Sequence, residues 1–93
     1  MRGSDMKYIL HKHCFIDGWF SPLQEKPDVC GSMVEAVETF REAFRHLLGR
    51  KPTGNQVEKV CGFGVVKGRS GSVEYRFCVT KQEGRPEGLR KTT

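Results

Sequence analysis

No run in the 93-residue chain approaches the ~20 consecutive apolar residues that a membrane helix requires. His11, Lys12 and His13 interrupt the first apolar stretch too early for the hydrophobic region of a secretion signal. The expected setting is therefore the cytoplasm, where thiols stay reduced. The chain also lacks paired C-x-x-C spacings, an H-E-x-x-H helix, a glycine-rich phosphate loop ending in Lys and Ser/Thr, and a serine elbow. Those absences remove the common signatures of zinc sites, metalloproteases, nucleotide hydrolases and serine hydrolases. No internal repeat is present at a useful period.

The length also limits what the fold can hold. One domain is expected, with room for a single core layer and no deep substrate cavity. Residues 1–5 read as an expression leader, residues 6–81 as one α+β domain, and residues 82–93 as a disordered basic tail. Lys and Arg number 16 against 11 Asp and Glu, for a formal charge of +5. That sign suits nucleic acid, an acidic protein face, an anionic membrane surface or simple solubility. The four cysteines, Cys14, Cys30, Cys61 and Cys78, read as free thiols, with Cys14, Cys61 and Cys78 in strand-like runs where cysteine acts as a small buried hydrophobe.

Local patterning predicts the order ββαββ. Residues 7–16 form a first strand, with Tyr8, Leu10, Cys14 and Ile16 on one face and Ile9, His11, His13 and Phe15 on the other. Asp17 and Gly18, flanked by Phe15-Ile16 and Trp19-Phe20, signal a type I′ hairpin. The second strand ends near Ser21, and residues 21–31, with two prolines and a glycine, form a connecting loop. Residues 32–48 predict an amphipathic helix. Ser32 and Glu35 form a capping box, and Met33, Val37, Phe40, Phe44 and Leu47 recur at the helical period. Gly49 and Pro52 stop it. After a basic loop at residues 49–55, residues 57–67 and 72–81 read as two strands joined by the turn Gly68-Arg69-Ser70-Gly71. The simplest packing is an antiparallel four-stranded sheet with the helix on one face, the other face being left to solvent or a partner.

The run Cys61-Gly62-Phe63-Gly64-Val65-Val66 resembles the RNP1 stretch of the RNA-recognition motif family, with Tyr8-Ile9-Leu10 as that family's apolar first strand. The likeness covers about six residues and implies strand aromatics that stack on bases. The family's second helix and basic first RNP1 residue have no counterpart in the pattern read here. On that pattern the segment is a glycine-bearing strand packed under the helix, with Gly62 and Gly64 permitting close backbone approach.

Three surfaces carry candidate chemistry. Phe15, Trp19 and Phe20 near the first hairpin, with Lys67, Arg69 and Arg76, form a candidate partner-binding surface, since aromatics and arginines are common interface anchors. For direct nucleic-acid binding the basic set is Lys67, Arg69 and Arg76, Arg50 and Lys51 after the helix, and Arg85, Arg90 and Lys91 in the tail. His11, His13 and Cys14 are the densest metal-capable cluster, although Cys14 falls on the opposite strand face, so no metal or other cofactor is expected. Glu38 and Glu42 sit beside Arg41 and Arg45 as ordinary helix ion pairs. No spacing requires a Cys–His nucleophile, and no enzyme activity is expected.

The sequence therefore predicts a small non-catalytic binding module that attaches to a protein or a protein–nucleic-acid complex. It is not membrane-bound, and its oligomeric state is unspecified. In outline such a protein is similar to phage-encoded inhibitors of host machinery, anti-CRISPR proteins included, a likeness of fold. Direct nucleic-acid binding through the sheet, second hairpin and tail is the alternative, and a metal or thiol site at His11, His13 and Cys14 the third.

Overall fold

The computed structural model describes residues 6–21 and 25–83. Alternating apolar residues draw the long strand β1 (Met6–Ile16) into register with the equally long β5 (Val73–Glu83). The antiparallel pairing runs from Met6 opposite Glu83 to Ile16 opposite Val73. On one side β5 carries β4 (Val66–Ser70). On the other side of β1 lie two short strands, β2 (Trp19–Phe20) opposite Phe15 and Ile16, and β3 (Asp28–Cys30) opposite Tyr8, Ile9 and Leu10. Together they make a five-stranded antiparallel sheet of order β2-β1-β5-β4, with β3 sharing the β2 edge of β1. The expected α+β class and helix-on-sheet packing are observed.

Asp17 and Gly18 both take positive φ, 51° and 83°, as a two-residue type I′ turn requires. Helix α1 (Met33–Leu48) starts at Ser32, whose hydroxyl accepts from the Glu35 amide at 3.1 Å. The reciprocal half of the expected capping box is shifted by one residue. Glu35 accepts from the amide of Gly31 at 2.9 Å, not from that of Ser32. Gly49 ends the helix with φ 73°, its amide bonded to the Arg45 carbonyl, because a left-handed residue there costs glycine nothing.

Three local expectations are corrected. Residues 57–65 are not a strand: helix α2 (Gly54–Cys61) occupies most of that span. A full capping box drives it, with Thr53 Oγ1 accepting from the Gln56 amide and Gln56 Oε1 accepting from the Thr53 amide. The resemblance to RNP1 therefore has no strand beneath it. Gly62, Phe63 and Gly64 form the helix exit, with Phe63 N–H bonded to Val60 O and Gly64 N–H to Lys59 O. Second, part of the expected loop at 21–31 is the strand β3. Third, Gly68, Arg69 and Ser70 belong to β4, and the turn is Gly71-Ser72, where Gly71 supplies the positive φ of 66°. The expected disordered tail, apart from Gln82 and Glu83 at the end of β5, lies outside the described residues, as do residues 1–5.

The core lies between one sheet face and the two helices. Leu10, Phe77, Val79 and Val66 from the sheet meet Ala36, Phe40 and Phe44 from α1 and Val60 from α2. Phe40, Phe44 and Phe77 form a ring triad with centroids 5.4–5.7 Å apart, within the range in which aromatic pairs attract. Each such side chain contributes about 1.5–3 kcal/mol on burial. Gly68 lies buried under α1, where a Cβ would collide with Leu48 Cδ1 and press on Phe44. Close backbone approach is therefore realised at Gly68, on β4. No described helix is long and apolar enough to cross a membrane.

Candidate interaction face

Side-chain alternation decides what the second sheet face shows. With Leu10 and Cys14 turned to the core, β1 turns Lys7, Ile9, His11, His13 and Phe15 outwards. The register sets β5 residues opposite them: Gln82 by Lys7, Thr80 by Ile9, Cys78 by His11, Arg76 by His13 and Glu74 by Phe15. From β4, Lys67 stands by Arg76 and Arg69 by Glu74, while Phe20 stands by Phe15 on the other side. Both helices bury their apolar residues in the core on the opposite face. No described element crosses this outer face.

Two bands result. Along β2 and β1 run rings. Phe15 and Phe20 meet edge-to-face at 5.4 Å, Phe20 and His13 lie 6.1 Å apart, and His13 and His11 are parallel to within 5° at 6.2 Å. Along β5 and β4 run cations. Arg76 joins the bands, its guanidinium carbon 4.2 Å from the centre of the Phe15 ring, a cation–π distance. Arg76 Nε also donates to Glu74 Oε2 at 2.7 Å, and Arg69 donates to the other oxygen of Glu74 at 3.4 Å. The hydrogen bond from Arg76, with the charges of Arg76, Arg69 and Lys67, holds the Glu74 carboxyl below its ordinary value, against an opposing effect of burial. Phe20 remains 58% exposed.

Five of the six residues proposed for partner binding, Phe15, Phe20, Lys67, Arg69 and Arg76, thus share one face. Trp19 does not join them. It pairs with Ile16, so it projects to the other side of the hairpin, 79% exposed. Of the wider basic set, Arg50 lies 5.5 Å from the Phe44 ring on the helix side. Lys51 lines a cleft of about 350 Å³ between α1 and α2 with Arg41 and Arg45. Arg85, Arg90 and Lys91 lie outside the described residues.

The remaining candidates separate. Cys14 is buried on the core face, behind the sheet from His11 and His13. Among the described residues no three His, Cys, Asp or Glu side chains cluster as a metal site would require. Cys78 does stand opposite His11, but burial pushes its thiol up from the ordinary value, the reverse of what activates a cysteine. His11 Nε2 lies 2.9 Å from Thr80 Oγ1. Sequence reasoning set Ile9, His11, His13 and Phe15 on one strand face without deciding which sheet face is buried. It missed that Phe20 and Arg76 would close over Phe15, because that depends on the hairpin register.

The fold and this face define a small α+β protein with a helix-covered sheet and an aromatic and cationic surface that no described element covers. No family model matches the chain, and no curated protein or solved structure shows significant similarity to it.

Proposed function

We propose that the protein is a non-catalytic binding module that attaches to a protein or protein–nucleic-acid complex through its outer sheet face. The observation that supports this reading is the convergence of Phe15, Phe20, Lys67, Arg69 and Arg76 on one face that no described element covers. Phe20 is exposed beside the half-buried Phe15, and rings flanked by arginine are the composition of binding hot spots. Inhibition of a host assembly, as in phage-type inhibitors such as anti-CRISPR proteins, is one form that a module of this outline would take.

The test is co-purification of the full chain from cells that express it, with and without nuclease. The face assignment requires the complex to be lost in Phe20→Asp and Arg76→Glu and retained in Val34→Asp, which alters the exposed side of α1. Loss in Val34→Asp with retention in the two sheet variants would move the binding surface to the helix.

A further inference from the structure

Resting on that reading, we infer that the ligand of the outer face is single-stranded nucleic acid. Its bases would lie over Phe20, His13 and the Arg76 plane that covers Phe15, and its phosphates along Lys67, Arg69 and Arg76.

The two bands match the two halves of a nucleotide chain. Bases present flat π-faces, which stack on aromatic rings and arginine planes whatever their sequence. Phosphates need cations held to one side. Here the rings line β2 and β1, and the cations line β5 and β4, at the fixed spacings of adjoining strands. Outward residues of β1 repeat every ~6.8 Å along the strand. From Phe15 to Lys7 the row extends about 26 Å, enough for a short oligonucleotide of about four nucleotides.

The outer sheet face is cationic. Among the described outward residues of β1, β4 and β5, Glu74 is the one carboxylate, and it is shared by Arg76 and Arg69. The helices mix signs, with Glu35, Glu38, Glu42 and Glu58 beside Arg41, Arg45 and Lys59. On the sheet side a polyanion meets Lys67, Arg69 and Arg76 gathered on adjoining strands. A duplex fits this face less well. Base edges in a groove are read by a protruding helix or ribbon, and a broad sheet face suits unstacked bases instead.

Fluorescence anisotropy on the full chain tests this, using labelled mixed-sequence 12-mers of RNA and DNA, each single-stranded and as a duplex, from 50 to 200 mM salt. Single strands are expected to bind at least tenfold tighter than duplexes. Three phosphate contacts predict a log–log salt slope of about −2 on single strands. Phe20→Ala should weaken binding about tenfold, within the range for one lost stacking partner, while Phe20→Trp should restore it. Lys67→Ala should weaken binding and make the slope shallower by about 0.7. The RNA and DNA arms identify the sugar.

The inference is overturned if no strand binds at 50 mM salt, if duplexes bind as tightly as single strands, or if Phe20→Ala and Lys67→Ala bind unchanged. Inert oligonucleotides, together with a nuclease-resistant protein complex lost in Phe20→Asp, would overturn this inference and leave the binding-module reading standing. Inert oligonucleotides with no complex of either kind would overturn both.

Discussion

Lys12 Nζ donates to Asp28 Oδ2 at 2.7 Å from a position on the core side of β1, where only 11% of the lysine side chain is exposed. Alternation places Lys12 between Leu10 and Cys14, and the pairing of Asp28 with Leu10 brings the carboxylate within reach. A buried ammonium needs a partner, because removing one member of such a pair strands the other. Asp28 is more exposed, so water moderates the loss. Asp28→Ala should destabilise the fold by about 1–2 kcal/mol, and Lys12→Met should be near neutral because methionine fills a similar volume without a charge. Urea unfolding of the two variants checks the contrast. Equal losses in both would mean that the ion pair itself stabilises the fold beyond what an apolar side chain supplies, and no loss in Asp28→Ala would mean that it contributes nothing.

Gly68 makes the second prediction. Its buried backbone carries Leu48 and Phe44 directly above it. Gly68→Ala should cost about 1–3 kcal/mol through overpacking. Leu48→Ala alone should also destabilise, by opening a space. Combined, the two should cost less than the sum of the single changes, because the new methyl group enters space that the leucine vacates. Thermal or urea unfolding of the double-mutant cycle reads the coupling directly. Strict additivity would disprove the contact.

These two sites also show how far residue patterns carry. The helix at 33–48 was legible because cap, period and stop signal agree, and the first hairpin because Asp17-Gly18 admits few alternatives. That His11, His13 and Phe15 share one strand face followed from period two alone, but which face turns outward is set by where the helices pack. Residues 57–65 misled because Cys61, Phe63 and Val65 alternate like a strand, while Val57, Val60 and Gly64 fit a helix that turns out through a glycine. The Thr53–Gln56 capping box after Pro52 was the signal that decides between them. β3 has three residues, too few for a pattern, and owes its conformation to the β1 edge. The same applies to Gly68, which looks like a turn residue until the helix above it is placed. The two bands of the outer face depend on register between distant segments, which no local pattern carries.

Thiol chemistry separates the four cysteines. Cys14 and Cys30 are buried, Cys78 is intermediate and Cys61 is exposed at the end of α2. Cys30 is further tied to Thr39, Sγ to Oγ1 at 3.7 Å, and burial keeps the Cys78 thiol above its ordinary value. Brief maleimide treatment of the native protein at neutral pH should therefore modify Cys61 first, with the other three reacting fully only after denaturation. Peptide mass mapping over a time course gives the order. Labelling of Cys14 or Cys30 ahead of Cys61 would contradict the placement of β1 and β3 against the helix.

The carboxylate of Glu74 governs how the outer face responds to charge and acid. Its two oxygens accept from Arg76 and Arg69, and its folded-state value is lowered, first by the Arg76 hydrogen bond. A lowered value means that the bond is fully present above the ordinary glutamate value of 4.5. It is lost as pH falls through the lower value that Glu74 has in the folded protein. The Arg76 Nε–H resonance should accordingly move in that acid range in the wild type and stay flat in Glu74→Gln, a change that leaves size and polarity in place. At neutral pH the same variant removes the one carboxylate among the cations. Single-stranded oligonucleotides should then bind about two- to fivefold tighter at 50 mM salt, with the advantage shrinking as salt screens it. If Glu74→Gln instead weakened binding while its Arg76 signal lost its order, Glu74 would be the group that holds Arg76 flat over Phe15, and the stacked arginine would matter more to the ligand than the added charge.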